Sequence, residues 1–268
     1  MGDAKRLIVK PISAKDANRI VQGLHYSGKT VQNSQLHLGV FLDGKCGGAM
    51  QFGPSLDKRK MQGLVRGTLW NEFIELNRMA FADWLPRNGE SRALGFAFRW
   101  MRKQYPQLKW CVSFADGTQC GDGTIYRASG FYLTAINKSM NLVQFGQGQV
   151  IHKMTLESNP TQKRPELDGA TYYEVTGGRY DFNAYAKAVG GEVIPGFQLR
   201  YIYFIDSSAR DRLTVPILPF SEIDRHGAGM YKGKPRVRSV DSDTSANHAE
   251  EGGANPTRTL SKNNQVPT

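Results

Sequence analysis

A histidine, two tyrosines, an arginine and an aspartate stand out in this 268-residue chain as groups able to move a proton or hold an anion. His25 and Tyr26 open the segment HYSGK at the end of a helix-like run. There an imidazole that titrates near neutrality and a phenol lie close to a helix C-terminus. The same pair also fits a structural histidine with a packing tyrosine. Arg78 stands in ELNRMAF, an apolar stretch where a guanidinium is costly to bury unless paired. Glu75 is near enough in sequence to be that pair; otherwise the guanidinium is a fork for a phosphate or carboxylate. Asp116 ends the run SFAD and enters the glycine-rich GTQCGDG. Ligands gather at the carboxyl ends of strands in open α/β sheets, which makes Asp116 a candidate general base or metal ligand. Asp-Gly is equally an ordinary turn pair. Tyr126 in TIYRASGF is able to protonate a leaving group or orient a substrate, or to pack.

A second group surrounds the start of a long helix-like segment, Pro86 to Lys103. A loop entering a helix presents free N–H groups and the positive end of the dipole, which suits a pyrophosphate such as that of coenzyme A. Arg87, Asn88, Gly89 and Ser91 occupy that entry. Arg92, Gly95 and Ala97 then form R-x-x-G-x-A, the acyl-CoA loop pattern of GNAT enzymes. A small-residue helix face packed on a sheet would read the same. Basic residues cluster in three loops: Lys58, Arg59, Lys60 and Arg66; Lys163 and Arg164; Arg210 and Arg212.

The chain carries 35 Lys and Arg against 24 Asp and Glu, a net +11. With three basic loops, that balance favours a phosphate backbone as partner, and the aromatics of YYEVTGGRYDFNAYA offer stacking. Cys46, Cys111 and Cys120 are too few for a disulfide framework and lack C-x-x-C spacing. No apolar run reaches membrane length and no apolar segment follows the basic N-terminus, so the expectation is a reduced, intracellular protein without a membrane partner.

The elements that must hold these residues are readable. RLIVKPIS reads as a strand, and Ser13 caps a helix through AKDANRIVQGLH. LHLGVFLDGKCGGAMQFG reads as a hairpin turning at Asp43-Gly44. A basic loop, Asp57 to Arg66, leads into the strand WNEFIELNRMAF. After the long helix come the strand LKWCVSFAD, the short helix TIYRASG, and the strands FYLTAIN, VIHKMTL and RYIYFID; DRLTVPILPFSEI closes the fold. Between the last two strands, TYYEVTGGRYDFNAYAKAVGG reads as an inserted loop and helix, placing an insertion at about 157–196. The order predicts an α+β fold, a mixed central sheet flanked by helices, arranged as in GNAT acyltransferases rather than as a doubly wound sheet. One domain spans 1–231. Residues 232–268 are almost free of large apolar side chains and are expected to be a disordered tail.

The segments HYSGK, ELNRMAF, PRNGESRALGFAFRWMRKQYP, SFADGTQCGDGTIYRASGF and RYIYFID with RLTVPILPF, in that order over roughly residues 5–220, resemble the Mom-like family of phage DNA-modification proteins. That family is regarded as GNAT-related. The resemblance implies conversion of adenine in double-stranded DNA to N6-carbamoylmethyladenine in the cytoplasm of the bacterial host, shielding phage DNA from restriction enzymes. It implies catalytic roles for His25, Tyr26, Arg78, Asp116 and Tyr126. Ser113 joins them only if the strand ends or twists before Asp116, because in a regular strand residues three apart face opposite ways. Acyl transfer from acetyl-CoA would attach a carbonyl to the nitrogen, whereas the carbamoylmethyl group attaches through a methylene and carries an additional nitrogen. The donor candidates are a glycine-derived compound, or acetyl-CoA with a second enzyme or metal-assisted chemistry to complete the group. Iron held by His25, Tyr26 and Asp116 is a further candidate, although these residues do not form the usual two-His-one-carboxylate set. The alternatives are a non-catalytic DNA-binding protein on a GNAT-like fold, or an N-acetyltransferase acting on another amine.

Overall fold

The computed structural model describes residues 3–118 and 121–229; the tail expected at 232–268 lies outside them. Eight strands form one mixed sheet: β1 (Ile8–Pro11), β2 (Leu36–Leu42), β3 (Lys45–Gly53), β4 (Phe73–Phe81), β5 (Trp110–Asp116), β6 (Tyr132–Phe145), β7 (Gln149–His152) and β8 (Glu192–Phe204). Their order across the sheet is β1-β2-β3-β4-β5-β8-β6-β7. Every pairing is antiparallel except β4 with β5, which is parallel and central. This is the α+β, helix-flanked mixed sheet expected from the element order.

Helix α1 (Ala14–Leu24) starts where Ser13 Oγ accepts the Asp16 N–H at 3.1 Å, the capping bond that serine is suited to provide. Its Ala17 and Val21 pack on Ala49 and Ala80 of the sheet. The β2–β3 hairpin turns at Asp43 and Gly44, both at positive φ (50° and 80°), as a two-residue turn between twisted strands requires. Helix α3 (Gly89–Gln104) covers the opposite face, burying Leu94, Phe98 and Met101 against Leu38, Met50 and Phe52. On the α1 side, Val65, Phe73, Trp110, Val112 and Phe204 form another cluster. Phe73 stacks on Trp110 at 4.6 Å, and the indole N–H donates to Thr68 Oγ1 at 3.1 Å, so the buried ring leaves no polar group unsatisfied.

Several local expectations change. Residues Lys58–Gln62 of the basic loop form the short helix α2, because Asp57 Oδ1 accepts the Lys60 N–H at 3.1 Å. The stretch VIHKMTL is not one strand. Its second half is helix α5 (Lys153–Glu157), opened by His152, whose Nδ1 accepts the Met154 N–H at 3.0 Å. Helix α4 (Thr124–Ala128) falls as expected. Strands β6 and β8 run well beyond their apolar cores and pair almost throughout, carrying polar residues outward. The segment between α5 and β8 holds α6 (Tyr172–Thr176) and α7 (Phe182–Ala188), two helices rather than one, with their own cluster of Leu156, Tyr172, Phe182 and Tyr185. The closing segment contains α8 (Ser221–Arg225).

Candidate active site

Strands β4 and β5 pair only from Phe73 with Trp110 to Leu76 with Ser113, then part. Ser113 Oγ donates to the Leu76 carbonyl at 3.2 Å, fastening the last pair before the splay. On its other edge β4 slips register against β3, where Leu76 faces Phe52 and Arg78 faces Gln51, so Asn77 is the extra residue of a bulge. The splay opens a cavity of about 370 Å³ lined by His25, Tyr26, Asn77, Arg78, Asp116 and Tyr126, among others. A second cavity of about 570 Å³ shares Tyr26, Asn77, Arg78 and Asp116 with it and adds Leu56, Glu75, Asn137, Asn141 and His152. Both volumes are in the range of small-molecule sites, about 300–1,000 Å³. Tyr126 comes from the α3 side of the sheet, and His25 and Tyr26 from the end of α1 on the other side. The cleft therefore passes through the sheet between the parted strands.

Within it, the His25 ring is fixed by Ser27. The Ser27 N–H donates to His25 Nδ1 at 3.2 Å, and the Ser27 hydroxyl lies 2.8 Å from the same nitrogen. Burial, helped by the Arg78 guanidinium, lowers the imidazole pKa to about 4. A neutral ring with Nδ1 accepting carries its proton on Nε2, so His25 offers the cleft an N–H donor rather than a base. Tyr26 is 60% exposed, its ring centroid 4.4 Å from that of His25, an aromatic face at the mouth of the cleft.

Arg78 makes no side-chain ion pair with Glu75; its charge only opposes the upward shift of the Glu75 carboxyl. Its Nη1 donates to the Asn77 carbonyl at 2.7 Å and its Nε to the Lys29 carbonyl at 3.3 Å. These bonds aim a guanidinium into the cleft. Asp116 Oδ1 accepts the Thr118 N–H at 2.9 Å, which pins the carboxylate at the strand end. Ser113 shares the α3-side face of β5 with Cys111 and Ala115, opposite Asp116, and is fully buried outside the cleft. Its hydroxyl lies 2.9 Å from Tyr126 Oη, and Tyr126 stacks on Tyr201 at 4.8 Å. Gly123, at φ 68°, precedes α4; a Cβ there would stand 2.6 Å from Tyr201 Oη, so only glycine lets α4 approach this closely.

Glu75 and His152 line the cleft without having been singled out for it. Burial raises the Glu75 carboxyl above its usual range, opposed by Asn77 and Arg78. Burial also lowers His152, with the Asp116 charge acting the other way. Glu75 was visible in ELNRMAF only as a possible pair for Arg78. His152 carried no signal, because its place depends on pairing of β6 with β7. Among the described residues no cluster of three or more His, Cys, Asp or Glu side chains stands where it would hold a metal ion, so His25 and Asp116 lack a third such ligand.

The segment R-x-x-G-x-A is not a loop. Helix α3 already begins at Gly89, so Arg92, Gly95 and Ala97 lie inside it and their N–H groups belong to the helix. Ala97 is fully buried, and Arg92 lies over the Phe96 ring at 5.1 Å. At the entry, Asn88 has a φ of 64°, Gly89 N–H donates to Pro86 O, and Arg92 N–H to Asn88 O. A hollow of about 340 Å³ there is lined by Arg87, Asn88, Ser91 and also Glu90, whose carboxylate opposes an anion, with Thr124 and Ala128 across from them. Gly89 itself is buried. The hollow at the helix start, not the R-x-x-G-x-A residues inside α3, is where the helix entry opens to solvent.

The basic residues divide. Arg66 N–H donates to Arg212 O at 2.7 Å and Arg212 Nη1 to Arg66 O at 2.8 Å, which joins two of the three loops into one surface. That surface also carries exposed Arg59, Lys60 and Arg210, with Lys58 over the Trp70 ring at 4.3 Å. Lys163 is exposed, but Arg164 is 6% exposed, donates to Thr155 O at 3.0 Å and pairs with Glu166. Arg164 is an internal brace and not a contact for a backbone phosphate.

The chain that builds this through-sheet cleft matches the Mom protein family over residues 6–222 and belongs to that family. The methylcarbamoylase Mom of Escherichia phage Mu is 34% identical over 221 residues, covering 80% of this chain and 82% of that protein. Among solved structures, the spermidine/spermine N-acetyltransferase SpeG of Vibrio cholerae aligns with a TM-score of 0.42 at 7% identity, over 78% of this chain and 99% of that one. The GNAT-family acetyltransferase of Streptococcus pneumoniae aligns with a TM-score of 0.38 at 13% identity, over 74% and 98%.

Proposed function

We propose that this chain is a DNA-modifying transferase that converts adenine in double-stranded phage DNA to N6-carbamoylmethyladenine in the cytoplasm of its bacterial host, protecting that DNA from restriction. One observation carries the reading. His25, Tyr26, Arg78, Asp116 and Tyr126, drawn from four separate segments, line a single cleft beside a basic surface. The 34% identity to a methylcarbamoylase supports the same chemistry.

The adenine N6 amine is a weak nucleophile because its lone pair is delocalised into the ring, and in a duplex it is stacked out of reach. The base must leave the stack, at a cost of a few kcal/mol. Tyr26, exposed at the mouth, stacks on the extruded ring. The Asp116 carboxylate takes the N6 proton as N6 bonds to the methylene carbon of the donor and the donor's leaving group departs with the electron pair. His25 Nε2–H and the Arg78 guanidinium are preorganised donors for the carboxamide oxygen of the incoming group. Tyr126, tied to Ser113, lies on the far side of the splay, where it meets the leaving group. The donor this step requires is a glycine-derived compound that already carries the carboxamide and bears its leaving group on the methylene carbon; an acyl-CoA, whose leaving group sits on the carbonyl carbon, does not fit it. Asp116→Ala is expected to abolish modification and leave DNA affinity near that of the unaltered protein; full modification by that variant would refute the assignment.

A further inference from the structure

We propose that Leu56 is the wedge that enters the duplex and fills the gap left by the extruded adenine; this rests on the DNA-modifying reading above. Leu56 is 90% exposed, the most exposed large apolar side chain among the described residues. It is not stranded on an inert surface. It lines the rim of the 570 Å³ cavity that contains Asp116 and Arg78. It also stands one residue before Asp57, the cap of α2, whose Lys58, Arg59 and Lys60 begin the basic surface. An isolated leucine exposed to water between a cluster of cations and the mouth of a polar cleft gains nothing from folding. It does gain from a stacked, apolar partner brought there by phosphate contacts. Apolar wedges of this type part base steps in duplexes held by basic residues, and an enzyme acting on a base must extrude it. Tyr26 and Met154 also line this rim at 60% and 63% exposure. Only Leu56 adjoins the α2 cations, so a backbone held there brings the base stack onto Leu56.

The full chain, Leu56→Ala, Leu56→Met and Met154→Ala are compared by circular dichroism melting, by modification of DNA in cells, and by fluorescence. The fluorescence probe is a duplex with 2-aminopurine in place of an adenine that the chain modifies. The fluorescence assay needs no donor. The unaltered chain and Leu56→Met should raise the 2-aminopurine signal on binding. Leu56→Ala should lose most of that rise and about tenfold or more of the modification. Its affinity by anisotropy and its melting should stay within about threefold and a few degrees of the original. On a duplex with the 2-aminopurine opposite an abasic site, where extrusion is already cheap, Leu56→Ala should regain the rise. A normal rise with Leu56→Ala on the paired duplex, or the same loss with Met154→Ala, overturns the wedge. A chain that modifies DNA in cells but never raises the signal overturns the wedge and leaves the proposed function standing. A chain that modifies no DNA overturns both.

Discussion

The hydroxyls of Ser113 and Tyr126 lie 2.9 Å apart at the point where β4 and β5 separate. Ser113 also donates to the Leu76 carbonyl, so one buried hydroxyl joins both parting strands to α4, which carries Tyr126. Its role is positional. Ser113→Ala leaves the Leu76 carbonyl without this donor and removes a partner of the Tyr126 phenol, at a cost of roughly 1–3 kcal/mol. The urea midpoint should fall accordingly, while DNA affinity is unchanged. A midpoint equal to that of the unaltered protein would contradict this.

His25 makes stability pH-dependent. Its pKa is lowered to about 4 in the folded chain, against about 6.5 when unfolded. Protons therefore bind the unfolded chain first. The stability associated with the neutral ring is complete above pH about 6.5 and is lost as pH falls toward about 4. Replacing His25 with Gln removes this titration. Unfolding free energies of the two proteins, compared from pH about 7 to 4, should diverge in that window, the histidine protein losing roughly 1–3 kcal/mol more. Parallel curves would show that the ring is not held neutral.

The basic surface and the brace at Arg164 should behave differently. Arg66→Ala or Arg210→Ala, each removing a cation from the joined loops, should weaken DNA binding across sequences and lower the salt slope by about 1. Arg164→Ala should leave that slope intact and destabilise the fold, because it strips a buried partner from Glu166 and Thr155. An Arg164→Ala protein with native stability and a smaller slope would reverse the two assignments.

Much of this was readable beforehand, for local reasons. The α1 start, the Asp43-Gly44 hairpin and the long α3 each depend on a cap, a turn pair or an amphipathic period within one segment. His25, Arg78 and Asp116 stand out because each sits at an element end or breaks an apolar run; Tyr126, in the middle of α4, has only its phenol to mark it. What the sequence hid depends on contacts between segments. α5 starts where a side chain, His152, caps it, against a strand-like composition. R-x-x-G-x-A had the letters of a loop but lies within α3, because its apolar neighbours bury against the sheet. Arg164 was indistinguishable from a surface cation until Glu166 and Thr155 were placed around it. Glu75 and His152 reach the cleft through a register and a strand pairing that no short motif records.

The most direct test of the central claim is nucleoside mass spectrometry of DNA from bacteria expressing this chain or its Asp116→Ala variant. The account predicts an adenosine carrying the carbamoylmethyl mass with the unaltered chain and none with the variant, at equal levels of folded protein. The same peak from Asp116→Ala, an acetyl mass in its place, or unmodified DNA from both would contradict it.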